Sequence, residues 1–181
     1  ALLHNHAGQL SLRYVFDVSD TGTRRTSLDP FLWQLNERNE PAIAAMLEQE
    51  YDVSAVHGLH FQLAEIAQRQ ASAYWQEHQQ DVFRIVDGSF LEEYDEINVG
   101  MSFRRATSIS VCYTLQARCG LDVDSQFEHE DFLNVFDWNT PDAVAVLGTA
   151  VSQISGQVLR KIETIAKRVE RSVENDRDAV H

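Results

Sequence analysis

The longest hydrophobic rhythm in the chain lies near its end. Val144, Leu147, Val151, Ile154, Val158, Ile162, Ile165 and Val169 recur every three or four residues, a spacing that places them on one face of an α-helix. Thr140-Pro141-Asp142 announces its start as an N-cap, a first-position proline and an acid in the first turn, and the pattern fades into a polar stretch after Val173. The run FRRATSISVCYTLQARCG, residues 103–120, predicts a second, central helix. Ala106, Ser110, Tyr113 and Ala117 form one stripe, Ile109, Cys112 and Leu115 the next, and Gly120 supplies the stop. A third helix is predicted over residues 59–86, with Leu59, Leu63, Ile66, Tyr74 and Val82 inward and a weak, kink-prone middle at 68–70.

Shorter signals fill the remainder. Asn39 and Pro41 open a helix with Ile43, Met46 and Leu47 as its apolar face, and Asp29-Pro30 opens a short one through Phe31, Leu32 and Leu35. Residues 10–18 alternate, with Leu10, Leu12, Tyr14, Phe16 and Val18 on one side, and read as a strand closed by a turn at 19–22. Residues 52–54 read as a loop, and residues 90–100 as an acidic connection anchored by Phe90, Leu91, Tyr94 and Ile97. Residues 128–135 read as a short helix burying Phe132 and Phe136, while Gly148 and Gly156 suggest close helix approach on the last helix. The pattern defines a mainly α fold: one helical domain over residues 1–173, with one N-terminal strand that becomes a small β element (α+β) if it finds a partner. Residues 174–181 form a polar, disordered tail by composition, and no internal repeat is visible.

Composition narrows the function classes. With 181 residues, 44% hydrophobic, the chain suits one core, and its net charge of -13 opposes binding to free duplex DNA except through a local basic patch. No apolar run approaches the ~20 residues of a membrane span and no signal-peptide pattern is present. Cys112 and Cys119 lie about 10 Å apart along one helix and cannot bridge there; two buried thiols suit a reducing cytoplasm. The chain begins at Ala1, without methionine, which suggests a piece excised from a longer protein.

Several constellations invite chemistry, and in each the ordinary role is favoured. His57 and His60, with Glu65 beyond, could present two imidazoles to zinc but lack a third ligand at the expected spacing. His4 and His6 fall in what reads as a frayed terminus. Asp17 and Asp20 lack the acidic spacing of a calcium loop, and Asp122, Asp124, Gln126, Glu128 and Glu130 resemble one only until Phe127 and Leu133 occupy its decisive sixth and twelfth positions. His129-Glu130 begins like a zinc-peptidase signature, with Leu133 in place of its second histidine. Glu92, Glu93 and Asp95 read as a solvated acidic face, and Arg104 and Arg105 are expected to pair with the acidic run Glu92, Glu93, Asp95 and Glu96. Glu163 and Lys167 are a favourable helical pair, and Arg160, Lys161, Arg168 and Arg171 make the last helix basic near its end.

Two parts of the chain carry a resemblance. Phe103-Arg104-Arg105-Ala106, Ser110 to Tyr113, Arg118 to Asp122, Glu128 to Leu133 and Phe136 to Pro141 resemble a segment of large multidomain proteins of bacterial conjugative elements. Tyr14-Val15-Phe16-Asp17-Val18-Ser19-Asp20-Thr21 is similar to the Phe-Asp-Val-Ser-Gln-Thr segment of their ArdC-like and LtrC-like antirestriction relatives. The family joins a single-stranded-DNA-binding region to a zinc-peptidase-like domain with His-Glu-x-x-His on one helix and Ala-Glu-Ser-x-x-Tyr on a later one. Here Ile109 stands where that glutamate would be, and no His-Glu-x-x-His occurs, so the resemblance implies a degenerate copy without its metal. The expectation is a cytoplasmic, non-enzymatic interaction or scaffold module. It would act on other domains of a parent protein or on a protein partner, without cofactor, catalytic residues, metal ligands or membrane contact. Two alternatives stay open: a metal-dependent hydrolase using His57, His60 or His129, and a single-strand nucleic-acid-binding accessory domain using Arg160, Lys161, Arg168 and Arg171.

Overall fold

The structure, a computed structural model, describes residues 2–6, 9–13 and 32–178, with side chains from 32 to 172. The remainder of the predicted strand, the turn at 19–22, Asp17, Asp20 and the start of the Asp29-Pro30 helix lie outside the described residues. The chain divides into two units, Ala1–Leu32 and Trp33–His181. In the first, β1 (Leu2–His6) and β2 (Gln9–Arg13) pair antiparallel in a register that sets Leu2 opposite Arg13 and His6 opposite Gln9. The predicted strand does have a partner, and His4 and His6 belong to that partner rather than to a frayed end.

The second unit is mainly helical: α1 (Glu40–Tyr51), α2 (Leu59–Phe83), α3 (Glu96–Arg118), α4 (Leu133–Phe136) and α5 (Pro141–Asp178), with a 3-10 turn at His129–Phe132. Leu32 and Leu35 are not helical, a correction to the reading from Asp29-Pro30. Asn36 and Asn39 lock the backbone into a turn instead: Asn36 N–H donates to Asn39 Oδ1 at 2.9 Å and Asn39 N–H to Asn36 Oδ1 at 3.1 Å. That turn launches α1, whose Ile43 and Leu47 are fully buried as predicted. Gln62 ties α1 and the following loop to α2, donating to Ala44 O at 2.9 Å and Val53 O at 3.0 Å. The second helix runs unbroken through residues 68–70.

The third helix begins well before residue 103, because Asp95 caps it by accepting from Asn98 N–H at 2.8 Å. The acidic connection at 90–100 is therefore half helix, and of its four predicted anchors only Leu91 is buried; Phe90, Tyr94 and Ile97 face outward. Gly120, at φ 73°, ends the region as expected, with Leu121 N–H returning to Gln116 O at 3.0 Å. The buried face of α3 is also rotated from the predicted one. Val99, Phe103, Ala106, Thr107, Val111 and Leu115 are buried, while Tyr113 and Ala117 are exposed.

The reason is that α3 is covered by α2, by α5 and by the segment after Gly120, which runs back along it. Tyr113 meets Phe127 and Phe132 edge-on at 5.4 and 5.7 Å, and Trp138 meets Phe103 at 5.3 Å while donating Nε1–H to Ser102 Oγ at 3.2 Å. Phe132 is half-buried in this arrangement; Phe136, predicted inward, is exposed.

The last helix starts at Thr140, whose Oγ1 accepts from Ala143 N–H at 3.2 Å, and it continues past Val173 to Asp178. Leu147, Ile154, Val158, Ile162 and Ile165 are buried as its stripe requires, whereas Val144 is exposed and Ala143 and Ala150 take the contact with α3's end of the core. The buried residues form two clusters. One joins α1, the start of α2, the end of α3 and the later half of α5; the other joins the end of α2, the start of α3, Trp138 and the start of α5. Gly148 and Gly156 do not mark close helix approach: a Cβ at Gly148 would meet nothing within 4 Å, and one at Gly156 only Arg160 of the same helix. The close approach is at Gly100, where a Cβ would stand 2.7 Å from the Trp75 ring.

Ile154, 4% exposed, sits in the first cluster. Ile154→Ala is expected to cost about 2–5 kcal/mol and Gln157→Ala, on the exposed side of the same turn, no more than about 0.5 kcal/mol, as read from denaturant midpoints. Gly100→Ala should destabilise by about 1–3 kcal/mol despite alanine's better helix propensity, because the Trp75 ring must move; a stabilised variant would show that the ring has room to yield.

Candidate functional site

Three places bring polar side chains together. At the junction of α2 and α3, His60 Nδ1 lies 2.9 Å from Gln116 Oε1, and Gln116 Nε2–H donates to Cys112 Sγ at 3.2 Å. The order histidine, amide, thiol does not activate the sulfur. Burial pushes the Cys112 thiol up to about 11, and burial likewise pushes Cys119 up to about 11 despite Arg118 beside it. Both cysteines are free. His57 stands edge-on to Phe61, 6.2 Å between ring centres, so His57 and His60 make separate contacts. Among the described residues no group of three or more His, Cys, Asp or Glu side chains could hold a metal ion.

The second place is a depression of about 570 Å³ between α1, α2 and α5, lined by Glu50, Tyr51, Gln70, Arg160 and Lys161 among others. Lys161 Nζ lies 2.5 Å from Glu50 Oε2 and 4.8 Å from the centre of the Tyr51 ring. The hydrogen bond to Glu50 raises Lys161 above its ordinary 10.5, and burial raises Tyr51 above 10.0. An acid-base pair needs the opposite, a phenol lowered toward neutrality. This lysine therefore clamps α5 to α1. Among the described residues, it is the one of the four basic residues singled out on the last helix that pairs with an acid. Glu163 and Lys167 form the expected pair at 2.7 Å.

The third place is a groove along α2 and α3, lined by residues of these two helices and by Arg84 at the end of α2. It consists of two depressions of about 530 and 640 Å³ that meet at Arg104. Gln68, Arg69, Ser72, Gln76, Gln79 and Arg84 line one wall; Ile97, Met101, Arg104, Arg105 and Ser108 line the other. Arg69 is committed to Glu65 at 2.5 Å and to Asp52 O at 2.8 Å. Arg104 is half-buried and gives its Nε–H to Gly100 O at 2.9 Å, and Arg105 is exposed. The expected pairing of these two arginines with Glu92, Glu93, Asp95 and Glu96 is not made: those acids precede or begin α3, two helical turns away. Asp95 is used as the cap, and Glu92 accepts from Gly88 N–H at 3.2 Å.

Sequence reasoning missed this groove. Its signal was the row Gln68, Arg69, Ser72, Gln76 and Gln79 at helical spacing, which reads as an ordinary solvated face until α3 is set beside it. The groove holds mainly amides, hydroxyls and guanidinium groups, which recognise charge and hydrogen-bond partners but do not exchange protons near neutral pH, with the Glu96 carboxylate at one end. His129 and the acids from Asp122 to Glu130, set aside as metal ligands on their spacing, lie in the exposed return segment, where Asp122 Oδ1 accepts from Ser125 N–H at 3.3 Å and Glu128 and Asp131 cap the 3-10 turn. Among the described residues no helix is long and apolar enough to cross a membrane. In comparisons with known proteins, no family model, no curated protein and no solved structure matches the chain.

The raised thiols give a sign to the pH dependence. Folded Cys112 and Cys119 hold protons up to about pH 11 that the unfolded chain releases from about 9.0. Their contribution to stability is complete below pH 9 and is lost as the pH climbs to 11. Alkylation by iodoacetamide at pH 7.5 should be at least ~100-fold slower in the native protein than in denaturant; equal rates would mean that a thiol is accessible and ionisable.

Proposed function

We propose that this chain is a non-catalytic, helical interaction module of a larger conjugative-element protein, working in a reducing cytoplasm and descended from a zinc-peptidase-like domain without its metal site. The observation that carries the reading is the α2–α3 groove. It runs between two helices of the second unit, it presents the guanidinium groups of Arg104 and Arg105, and its lining of amides, hydroxyls and guanidinium groups favours binding over proton transfer. Ile109, at the position of the family's glutamate ligand, is a half-buried aliphatic side chain. His57, His60 and His129 sit apart in chemical terms: one packs on a ring, one bonds an amide and one begins a 3-10 turn.

Elemental analysis of purified full-length chain, paired with a fluorescence titration against a labelled oligonucleotide, tests this reading. Zinc is expected below ~0.1 per chain, and oligonucleotide affinity no tighter than ~100 μM at physiological salt, the weak end of non-specific binding. One zinc per chain, lost in His57→Ala or His60→Ala, would restore the hydrolase alternative. Sub-micromolar oligonucleotide binding abolished by alanine at Arg160, Lys161, Arg168 and Arg171 would restore the nucleic-acid one.

A further inference from the structure

The free face of α3 carries an ordered sequence of surface types. In the turn and cap just before it stand Glu92, Glu93 and Asp95, with Glu96 in its first turn, all exposed. Tyr94 (48% exposed), Ile97 (73%) and Met101 (38%) follow as outward apolar side chains. One turn further on stand Arg104 and Arg105, neither of them in an ion pair among the described residues. Ile97, Met101 and Arg105 recur every four residues and so lie on one side of the helix, each step rising about 6 Å. Large exposed apolar groups grouped with unpaired charge are what a recognition surface presents.

The order of the charges decides the occupant. A uniformly acidic partner would be drawn to Arg104 and Arg105 but repelled by Glu92, Glu93, Asp95 and Glu96 at the other end, and a basic partner would meet the reverse. A surface with acid at one end, base at the other and an apolar centre is complementary to itself when turned end for end, the relation a two-fold axis imposes. We infer that this face of α3 docks on the same face of a second copy of this chain, antiparallel, about an axis level with Val99. In that register Ile97 meets Met101 of the second copy at the centre. Outside them, the acids that lead into α3, Glu93 among them, face Arg104 and Arg105 of the second copy, and the contact is made twice. Two chains of net charge -13 repel at long range, but at physiological salt the screening length is about 8 Å, so the opposed charges at the contact outweigh the distant ones. The inference needs neither the conjugative-element identity nor the lost metal, and the metal and oligonucleotide measurements above are blind to it.

The test is sedimentation velocity on the full chain at physiological salt over ~5–200 μM, with circular dichroism melts to show that each surface variant folds. The wild type should dimerise. Ile97→Asp should be monomeric throughout, Glu93→Arg and Arg105→Glu should each weaken the dimer at least ~10-fold, and the double variant Glu93→Arg/Arg105→Glu should recover to within ~3-fold of wild type. A wild type that stays monomeric at ~200 μM overturns the inference, as would assembly beyond a dimer, a dimer indifferent to all three single substitutions, or a double variant no tighter than the weaker single one.

Discussion

Phe103 is the side chain on which the helical unit depends most. Its ring lies 6.1 Å from Tyr74, 5.6 Å from Trp75 and 5.3 Å from Trp138, so one fully buried residue of α3 touches two successive positions of α2 and the segment that leads into α5. Aromatic contacts of this kind have preferred geometries and fix register as well as burying area. Gly100, one turn earlier, lets the Trp75 ring lie against the backbone of α3. Together they set how far α2 and α3 slide past one another, and the groove on their outer side inherits its shape from that setting.

How much of this was legible can be judged helix by helix. The last helix and α1 were readable because each buries one face, so a single stripe and a local start signal define them: Thr140 caps the one, and the Asn36–Asn39 turn with Pro41 opens the other. The third helix was readable as a helix but not as a surface. A helix covered from three directions has buried positions nearly all round, and small or polar residues such as Thr107 and Gln116 can occupy them, so the eye finds a stripe that is not the deepest one. Its start was missed because Phe90, Tyr94 and Ile97 resemble anchors by size alone, whereas a single capping carboxylate, Asp95, decides where the helix begins. The groove was illegible for a different reason: it is shared between two successive helices, and neither half is unusual alone.

The charges tell a related story. Lys161 and Arg118 look alike as basic residues on helices, yet both are spent on the fold, the first on Glu50 and Tyr51, the second over the Trp33 ring at 4.2 Å and on Trp33 O at 3.3 Å. Arg104 and Arg105 were expected to be spent in the same way on nearby acids and are not. Because α3 begins at Glu96, those acids sit at its N-terminal end, where the helix dipole favours them, while the arginines project two turns along the axis. The geometry of one helix start therefore converts an anticipated internal pairing into a surface with separated charges.

The division of the core into two clusters has a consequence for how the molecule opens. Both clusters are threaded by the same helices, α2, α3 and α5, but only the first includes α1 and only the second includes the ring of Trp138. Loss of one cluster leaves the other with its own aliphatic or aromatic centre intact, so the two ends of the bundle can breathe separately while the helical rods remain continuous. Amide protons along a single helix would then exchange with solvent on two distinct schedules, dividing α3 between Ala106 and Val111, and a probe at either end would report the local lifetime of its own half.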